Sequence, residues 1–191
     1  MALPDPIVTA PVLWRGPREI GPQIPVCKLL CHQAVAQCLP KWCWAAVLQE
    51  ILRCHGQRYS QCALVEKHKF SAGYCCDQRT LSCQAVFRHR CNKQGDLSYV
   101  LRKEGLLLLA IVFEPISICE ELRNDHPVVV RFDRGTNKHF AVVSKLSPNG
   151  SDYFLQIADP DGGLLLVLGW KLGQPVVHPR HGNLTEYFAI H

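Results

Sequence analysis

The chain has 191 residues, of which 48% are hydrophobic and 19% are charged, and its formal net charge is +5 at pH 7. This length suits one domain with a sizeable core, and the composition excludes a disordered chain. The densest basic run, Arg88 to Lys93, has no interleaved aromatic residues, so we predict a solvated helix face and no nucleic-acid partner. The longest apolar run, Leu106 to Phe113, is too short to span a bilayer, so we expect no membrane partner.

Residues 1–26 contain six prolines and no sustained apolar period, which indicates an extended arm or linker. The arm could equally be a tail that packs on the surface or a junction left from a larger protein. The folded domain is predicted to cover residues 27–191. The N-terminus shows no charged region followed by an apolar run and a small-residue cleavage site, so we expect no secretory signal and a cytoplasmic location.

Eleven cysteines are many for this length, and their number is odd. Without a secretory signal, free thiols, metal ligands or a catalytic thiol are expected in preference to disulfides. Cys27 could pair with another thiol only outside a reducing compartment. Full oxidation would still leave one cysteine unpaired, and Cys43 is the candidate.

The first strong helical pattern begins at Cys43. Apolar residues recur with the spacing of one buried helix face at Trp44, Val47, Leu48, Ile51 and Leu52, and Gly56 ends the pattern. The unpaired N–H groups and positive dipole end of this helix should favour a Cys43 thiolate with a lowered pKa. We expect the Trp42 side chain to line a cleft and the Trp44 side chain to pack beside the helix.

More helices are predicted before residue 125. Ser60 should cap a helix that runs to Lys69. Thr80 or Ser82 should cap a second helix that runs to Asn92, and Asp96 or Ser98 should cap a short third helix that ends at Gly105. A capping box, Ser117 with Glu120, predicts a last helix to Asn124.

From Pro127 the pattern changes to short apolar strands, and Asn149-Gly150 is a strong hairpin signal. The predicted strands are 127–132, 139–145, 153–158, 164–170 and 184–190. Helices followed by antiparallel strands predict an α+β fold.

A cysteine nucleophile needs an imidazole, and His139 stands where a turn leads into an apolar strand. Asp159 ends the next strand, so antiparallel pairing should bring both residues to one edge of the sheet. Asp159 could then accept a hydrogen bond from Nδ1 of His139 and leave Nε2 towards Cys43. Asp161 is the nearest competitor for this role.

Gln37, Cys43 and Trp44 form a Gln-x5-Cys-Trp pattern at the start of a long buried helix, which resembles the papain-like cysteine proteases. The Cys-Trp-Ala-Ala form is similar to the compact bacterial branch, which includes effector proteases of plant pathogens and toxin domains. Papain uses asparagine where this chain has Asp159, and it has a longer cysteine-to-histidine spacing; both differences favour that branch. The resemblance covers about residues 37 to 160.

The resemblance implies a papain-like fold and a catalytic triad of Cys43, His139 and Asp159. It also implies an oxyanion hole formed by the Gln37 side chain and the backbone N–H of Cys43. It further implies a cysteine endopeptidase that acts on a protein substrate without a cofactor or metal. Such proteins are often monomeric toxins or effectors that reach the cytoplasm of a target cell, and an inhibitor or immunity protein could cover the cleft.

Two alternatives remain open at this stage. The same triad could serve an acyltransferase, a transglutaminase or a deamidase, because an amine or water can resolve the acyl-enzyme. The other alternative is a non-enzymatic, cysteine-rich binding module stabilised by zinc. The irregular spacing of Cys27, Cys31, Cys75 and Cys76 fits a structural zinc site poorly.

Overall fold

Helices precede a largely antiparallel sheet, which confirms the predicted α+β class. A computed structural model of the chain describes residues 24–70, residue 75 and residues 88–191. The described helices are α1 Cys43–Cys54, α2 Gln61–Lys69, α3 Arg88–Cys91, α4 Leu97–Lys103 and α5 Pro115–Arg123. Most of the proline-rich arm, and the predicted start of a helix at Thr80 or Ser82, lie outside the described residues.

Helix α1 is the central helix and begins at Cys43, as predicted. Residues Cys43 to Leu52 are all buried, so this helix buries most of its surface and not only one stripe. The apolar stripe identified in the sequence lies within the main hydrophobic core, where it meets residues of the sheet. Burial on all sides fixes the position of the Cys43 backbone at the first turn of the helix.

Two of the predicted helix caps are confirmed and one is wrong. The Ser60 hydroxyl accepts a hydrogen bond from Ala63 N at 3.1 Å, and the Asp96 carboxylate accepts one from Tyr99 N at 3.0 Å. The Ser117 capping box does not form, because α5 begins earlier, at Pro115. Proline suits the first helical position, since its fixed φ matches the helix and its missing N–H would have no partner there.

Within the described residues the sheet has eight strands: β1 Cys27–Lys28, β2 Leu108–Leu109, β3 Val128–Arg134, β4 Asn137–Asn149, β5 Asp152–Asp159, β6 Leu164–Trp170, β7 Val177–His178 and β8 Gly182–Ile190. The main strand order is β2-β8-β3-β4-β5-β6, with β1 against β4 and β7 against β8. The five longer strands were predicted from the sequence. The three two-residue strands were not, because two residues carry no periodicity.

Strands β4 and β5 form the predicted hairpin, with Gly150 at φ 62° in the turn. Val142 pairs with Ala158 in this hairpin, so the start of β4 and the end of β5 lie at the same edge of the sheet. This pairing brings His139 and Asp159 near each other.

The expectation of free thiols, metal ligands or a catalytic thiol in preference to disulfides is wrong for most of the described cysteines. Disulfides join Cys27 to Cys119, Cys31 to Cys54, and Cys75 to Cys91. Cys38 and Cys62 are also disulfide-bonded. Among the cysteines of the described ranges, Cys43 is the free thiol, as the odd count suggested. The other described thiols are therefore not available as zinc ligands, which removes the basis of the zinc-stabilised binding module in this part of the chain.

Among the described residues, no helix is both long enough and apolar enough to cross a membrane.

Candidate active site

His139 and Asp159 are in direct contact. Nε2 of His139 lies 2.7 Å from Oδ1 of Asp159, and both side chains are buried. His139 is the third residue of β4 and Asp159 the last residue of β5, so the antiparallel register brings these two side chains together. The sequence-based pairing of the two residues is confirmed.

The ring nitrogen that contacts Asp159 is the opposite of the one predicted. Nε2, and not Nδ1, faces the carboxylate. Nε2 is the nitrogen farther from the backbone, so it reaches the end of the neighbouring strand. Nδ1 stays close to the backbone of residues 138–140, which is where the Cys43 thiol also lies. Nδ1 is thus the ring nitrogen that does not face Asp159.

Asp159 is held by three donors. Besides His139, Nε2 of His178 lies 3.1 Å from Oδ2, and Asp161 N donates to Oδ1 at 2.9 Å. Burial alone would raise the pKa of Asp159, but the hydrogen bonds from His139, His178 and Asp161 hold it well below its usual range. Asp159 is therefore a carboxylate near neutral pH.

The His178 ring has a fixed tautomer. Its Nδ1 accepts hydrogen bonds from Arg180 N at 3.1 Å and His181 N at 3.2 Å. A nitrogen that accepts two N–H groups carries no proton, so the ring proton is on Nε2 and points at Asp159. The side chain is 1% exposed, so water does not compete for these contacts.

His181 covers His139. The two rings stack with centroids 3.7 Å apart and an interplanar angle of 18°. Burial, followed by the neighbouring His139 and His178, lowers the pKa of His181 to about 4. His181 is therefore neutral near pH 7 and adds no positive charge beside His139. We call Asp159, His139, His178 and His181 the Asp159 cluster.

Cys43 lies beside the start of β4. Its Sγ is 3.8 Å from the carbonyl oxygen of Lys138, the residue before His139. The predicted low pKa of Cys43 is wrong for the resting site: burial raises the pKa of the thiol, and the N–H groups of Phe140 and Trp44 offset this only in part. A nucleophilic thiolate at this position therefore requires a base to take the proton.

The two tryptophans beside Cys43 are both fully buried, so Trp42 does not wall an open cleft. Nε1 of Trp42 donates to Cys91 O at 2.8 Å, and Nε1 of Trp44 donates to Lys93 O at 3.1 Å. Gly95 lies against the Trp44 indole, where an added Cβ would come within 2.4 Å of the ring. These contacts fix residues 91–95 against the start of α1.

Gln37 lies next to Pro160, on the Asp159 side of the site. Its backbone N donates to Pro160 O at 2.8 Å, directly after Asp159. Its Nε2 donates to Pro40 O at 3.3 Å, while Oε1 is buried and makes no hydrogen bond to the described residues. An amide nitrogen carries two protons, so one N–H remains for a second acceptor.

The Asp159 cluster brings nitrogen and oxygen atoms close enough to suggest a metal site, with its four ligand atoms within 4.8 Å of one another. The proton on Nε2 of His178 argues against this, because a metal ligand needs an unprotonated nitrogen. Asp159 is also satisfied by its three donors. The cluster is better described as a hydrogen-bonded network around one carboxylate.

His178 and His181 were not identified from the sequence. They flank a Pro-Arg dipeptide between the short strand β7 and β8, and no periodic pattern surrounds them. A pair of histidines at a three-residue separation was the available signal. Asp161, the competitor for the third catalytic position, instead contacts Asp159 through its backbone, and its carboxylate pairs with Arg180 at 3.1 Å.

Comparison of the chain with protein-family models finds no match, and comparison with curated proteins finds none either.

Proposed function

We propose that this protein is a cysteine endopeptidase with a papain-like fold, in which Cys43, His139 and Asp159 form the catalytic triad. The observation that carries the proposal is the contact of His139 with Asp159, beside the free thiol of Cys43. A buried, ionised carboxylate on one imidazole nitrogen leaves the other nitrogen as a base directed away from it. The thiol lies by the backbone that carries this histidine.

In the proposed reaction, Nδ1 of His139 takes the proton of the Cys43 thiol. The thiolate attacks the carbonyl carbon of a peptide bond, and His139 returns the proton to the leaving amine as the carbon–nitrogen bond breaks. Water, activated by the same nitrogen, then hydrolyses the thioester to a carboxylic acid and restores the thiol. Asp159 stabilises the imidazolium throughout.

The oxyanion of the tetrahedral intermediate needs hydrogen-bond donors. We assign the backbone N–H of Cys43, at the first turn of α1, and the second N–H of the Gln37 amide. Nε2 of Gln37 donates one N–H to Pro40 O, so the second N–H is the one assigned to the oxyanion.

His178 acts in this scheme as a positioning residue. It donates to the second oxygen of Asp159, with its tautomer set by two backbone N–H groups. The carboxylate is thereby held with Oδ1 towards His139. This arrangement favours one orientation of the imidazole and excludes water from it.

The disulfides favour action in an oxidising compartment, such as the cell surface or the extracellular space. The disulfides therefore support a protein that acts outside the cell that makes it. This location differs from the cytoplasmic one expected from the sequence. A toxin or effector role, with a protein substrate and an inhibitor or immunity partner, remains part of the proposal.

The proposal is tested by labelling the native protein with iodoacetamide and with a papain-class epoxide between pH 5 and pH 8. We expect one rapid adduct, on Cys43, and a large loss of rate in His139→Ala. Equal rates in the parent and in His139→Ala would contradict the triad. An excess of an amine, added with a protein substrate, separates the two kinds of product: free carboxylates support a peptidase, and amides of the added amine support the acyltransferase or transglutaminase alternative.

A further inference from the structure

Glu121, His126 and His191 converge on one point of the surface, although they come from three different parts of the chain. Nδ1 of His126 and Nε2 of His191 each lie 2.9 Å from the same carboxylate oxygen, Oε2 of Glu121. The two imidazole rings stand with their centroids 3.7 Å apart. One ligand atom of each residue lies within 4.8 Å of the others.

The backbone holds these three residues in place. His126 N donates to the carbonyl oxygen of Glu121 at 2.9 Å. His191 and Leu107 exchange two backbone hydrogen bonds, each of 3.0 Å. Asp125, beside His126, accepts hydrogen bonds from Leu30 N and Cys31 N. The side chains therefore converge on a scaffold that does not depend on their own interaction.

The α5 helix that carries Glu121 is fixed covalently as well. Cys119, two residues earlier, is disulfide-bonded to Cys27 of β1. The side chains of Glu121, His126 and His191 are 18%, 32% and 30% exposed, respectively. The point of convergence is thus rigid but open to solvent, so an ion could enter and leave.

Two imidazole nitrogens and one carboxylate oxygen form a donor set that suits Zn²⁺, Cu²⁺ or Ni²⁺, whereas Mg²⁺ and Ca²⁺ prefer oxygen ligands. Donors at about 2.0–2.1 Å from a tetrahedral ion lie about 3.3 Å from one another. The present separations from Oε2 are 2.9 Å, so a small outward movement of the exposed rings would admit an ion. Water could fill the fourth position.

We propose that Glu121, His126 and His191 bind a divalent transition-metal ion, with Zn²⁺ as the best fit. The bound ion would connect the end of α5 to the residue that follows β8, and it would stabilise the folded state because the unfolded chain lacks the preformed site. None of the three residues takes part in the proposed reaction. The proposal is therefore independent of the proposed function.

The test uses protein made without a polyhistidine tag, with Cys43 alkylated so that its thiol cannot bind metal. Zn²⁺ affinity is measured by competition with a chromophoric chelator, and the melting temperature is measured with Zn²⁺, with Mg²⁺ and without added metal. We expect one equivalent of Zn²⁺ to bind and to raise the melting temperature, and we expect Mg²⁺ to have no effect.

The informative variants are His126→Ala, His191→Ala and the double variant, with His55→Ala as the matched control. His55 lies near His126 but is not among the three converging residues. Burial lowers the pKa of His55, and the neighbouring His126 lowers it further. Each single change should weaken Zn²⁺ binding by at least about tenfold, and the double change should abolish the shift in melting temperature. The control should bind Zn²⁺ like the parent. Absence of binding by the parent, or unchanged affinity in the double variant, would overturn the proposal.

Discussion

Asp159 accepts a hydrogen bond from Nε2 of His139 on one oxygen and from Nε2 of His178 on the other, at 2.7 and 3.1 Å. One buried carboxylate therefore orients two histidines. His139 stands beside the free thiol, whereas His178 is tied by its second nitrogen to the backbone of residues 180 and 181. This division gives the two histidines different roles, which substitutions can separate.

Replacement of either reacting group should abolish activity while the fold is retained. We expect Cys43→Ser and His139→Ala each to lower kcat/KM on a protein substrate by roughly 10⁴-fold or more, as removal of a triad member does in other hydrolases. Circular dichroism and the melting temperature check the fold. Substantial cleavage by Cys43→Ser would contradict the nucleophile assignment.

Asp159→Asn should leave the ring of His139 in place but remove the charge that stabilises its imidazolium. We expect kcat to fall by roughly 10³- to 10⁴-fold. Asp161→Asn is the matched control, because the Asp161 carboxylate pairs with Arg180 at 3.1 Å and lies 3.6 Å from Nε2 of His181, whereas only the backbone N–H of Asp161 contacts Asp159. Exposed ion pairs contribute about 0–1 kcal/mol, so the control should keep most of its activity and stability. Equal losses in the two variants would return Asp161 to consideration as the third catalytic residue.

His178→Phe and His178→Gln separate a positioning role from a packing role. Phenylalanine keeps the ring but removes the donor to Asp159, so we expect kcat to fall by about tenfold to hundredfold with little change in KM. Glutamine offers an amide N–H at similar reach and should restore much of kcat. Steady-state kinetics on one substrate measure both parameters. If both variants lost the same activity in proportion to their loss of folded protein, the role of His178 would be structural.

Acid should destabilise the protein through His181. Its pKa is lowered to about 4, so between pH 4 and about pH 6.5 the unfolded chain binds more protons at this residue than the folded chain. Stability should therefore fall as the pH drops through this window. In His181→Gln, the melting temperature should change less between pH 7 and pH 4.5 than in the parent. The same pH dependence in both proteins would contradict this assignment.

Loss of the Cys27–Cys119 disulfide should cost more stability than loss of Cys31–Cys54. The sequence separations are 92 and 23 residues, and the chain-entropy model gives losses of about 4.6 and about 3.4 kcal/mol for loops of these lengths. Denaturant unfolding of the two double alanine variants, compared with the parent, measures both losses. A larger loss for the Cys31–Cys54 pair would show that native packing, and not loop length, decides the order.

Much of the fold was predictable because it follows local periodicity. The apolar stripe after Cys43 predicted α1, and the apolar runs with Asn149-Gly150 predicted the longer strands and the β4–β5 hairpin. The hairpin in turn predicted the approach of His139 and Asp159. The short strands β1 and β2 could not be predicted, since their backbones pair with strands distant in sequence, and β7, which pairs with the start of β8, is too short to show a periodic pattern.

The sequence by itself determined which residues were candidates. They were the one cysteine left unpaired by an odd count, at a helix start, a histidine and an aspartate at one edge of a hairpin, and a glutamine before the helix. Only the tertiary structure decided their chemical states. It placed Nε2 and not Nδ1 of His139 on Asp159, added His178 and His181 from a distant turn, and raised the pKa of Cys43 by burial. These outcomes depend on desolvation and on contacts between segments far apart in the chain, and local sequence patterns carry no information about either.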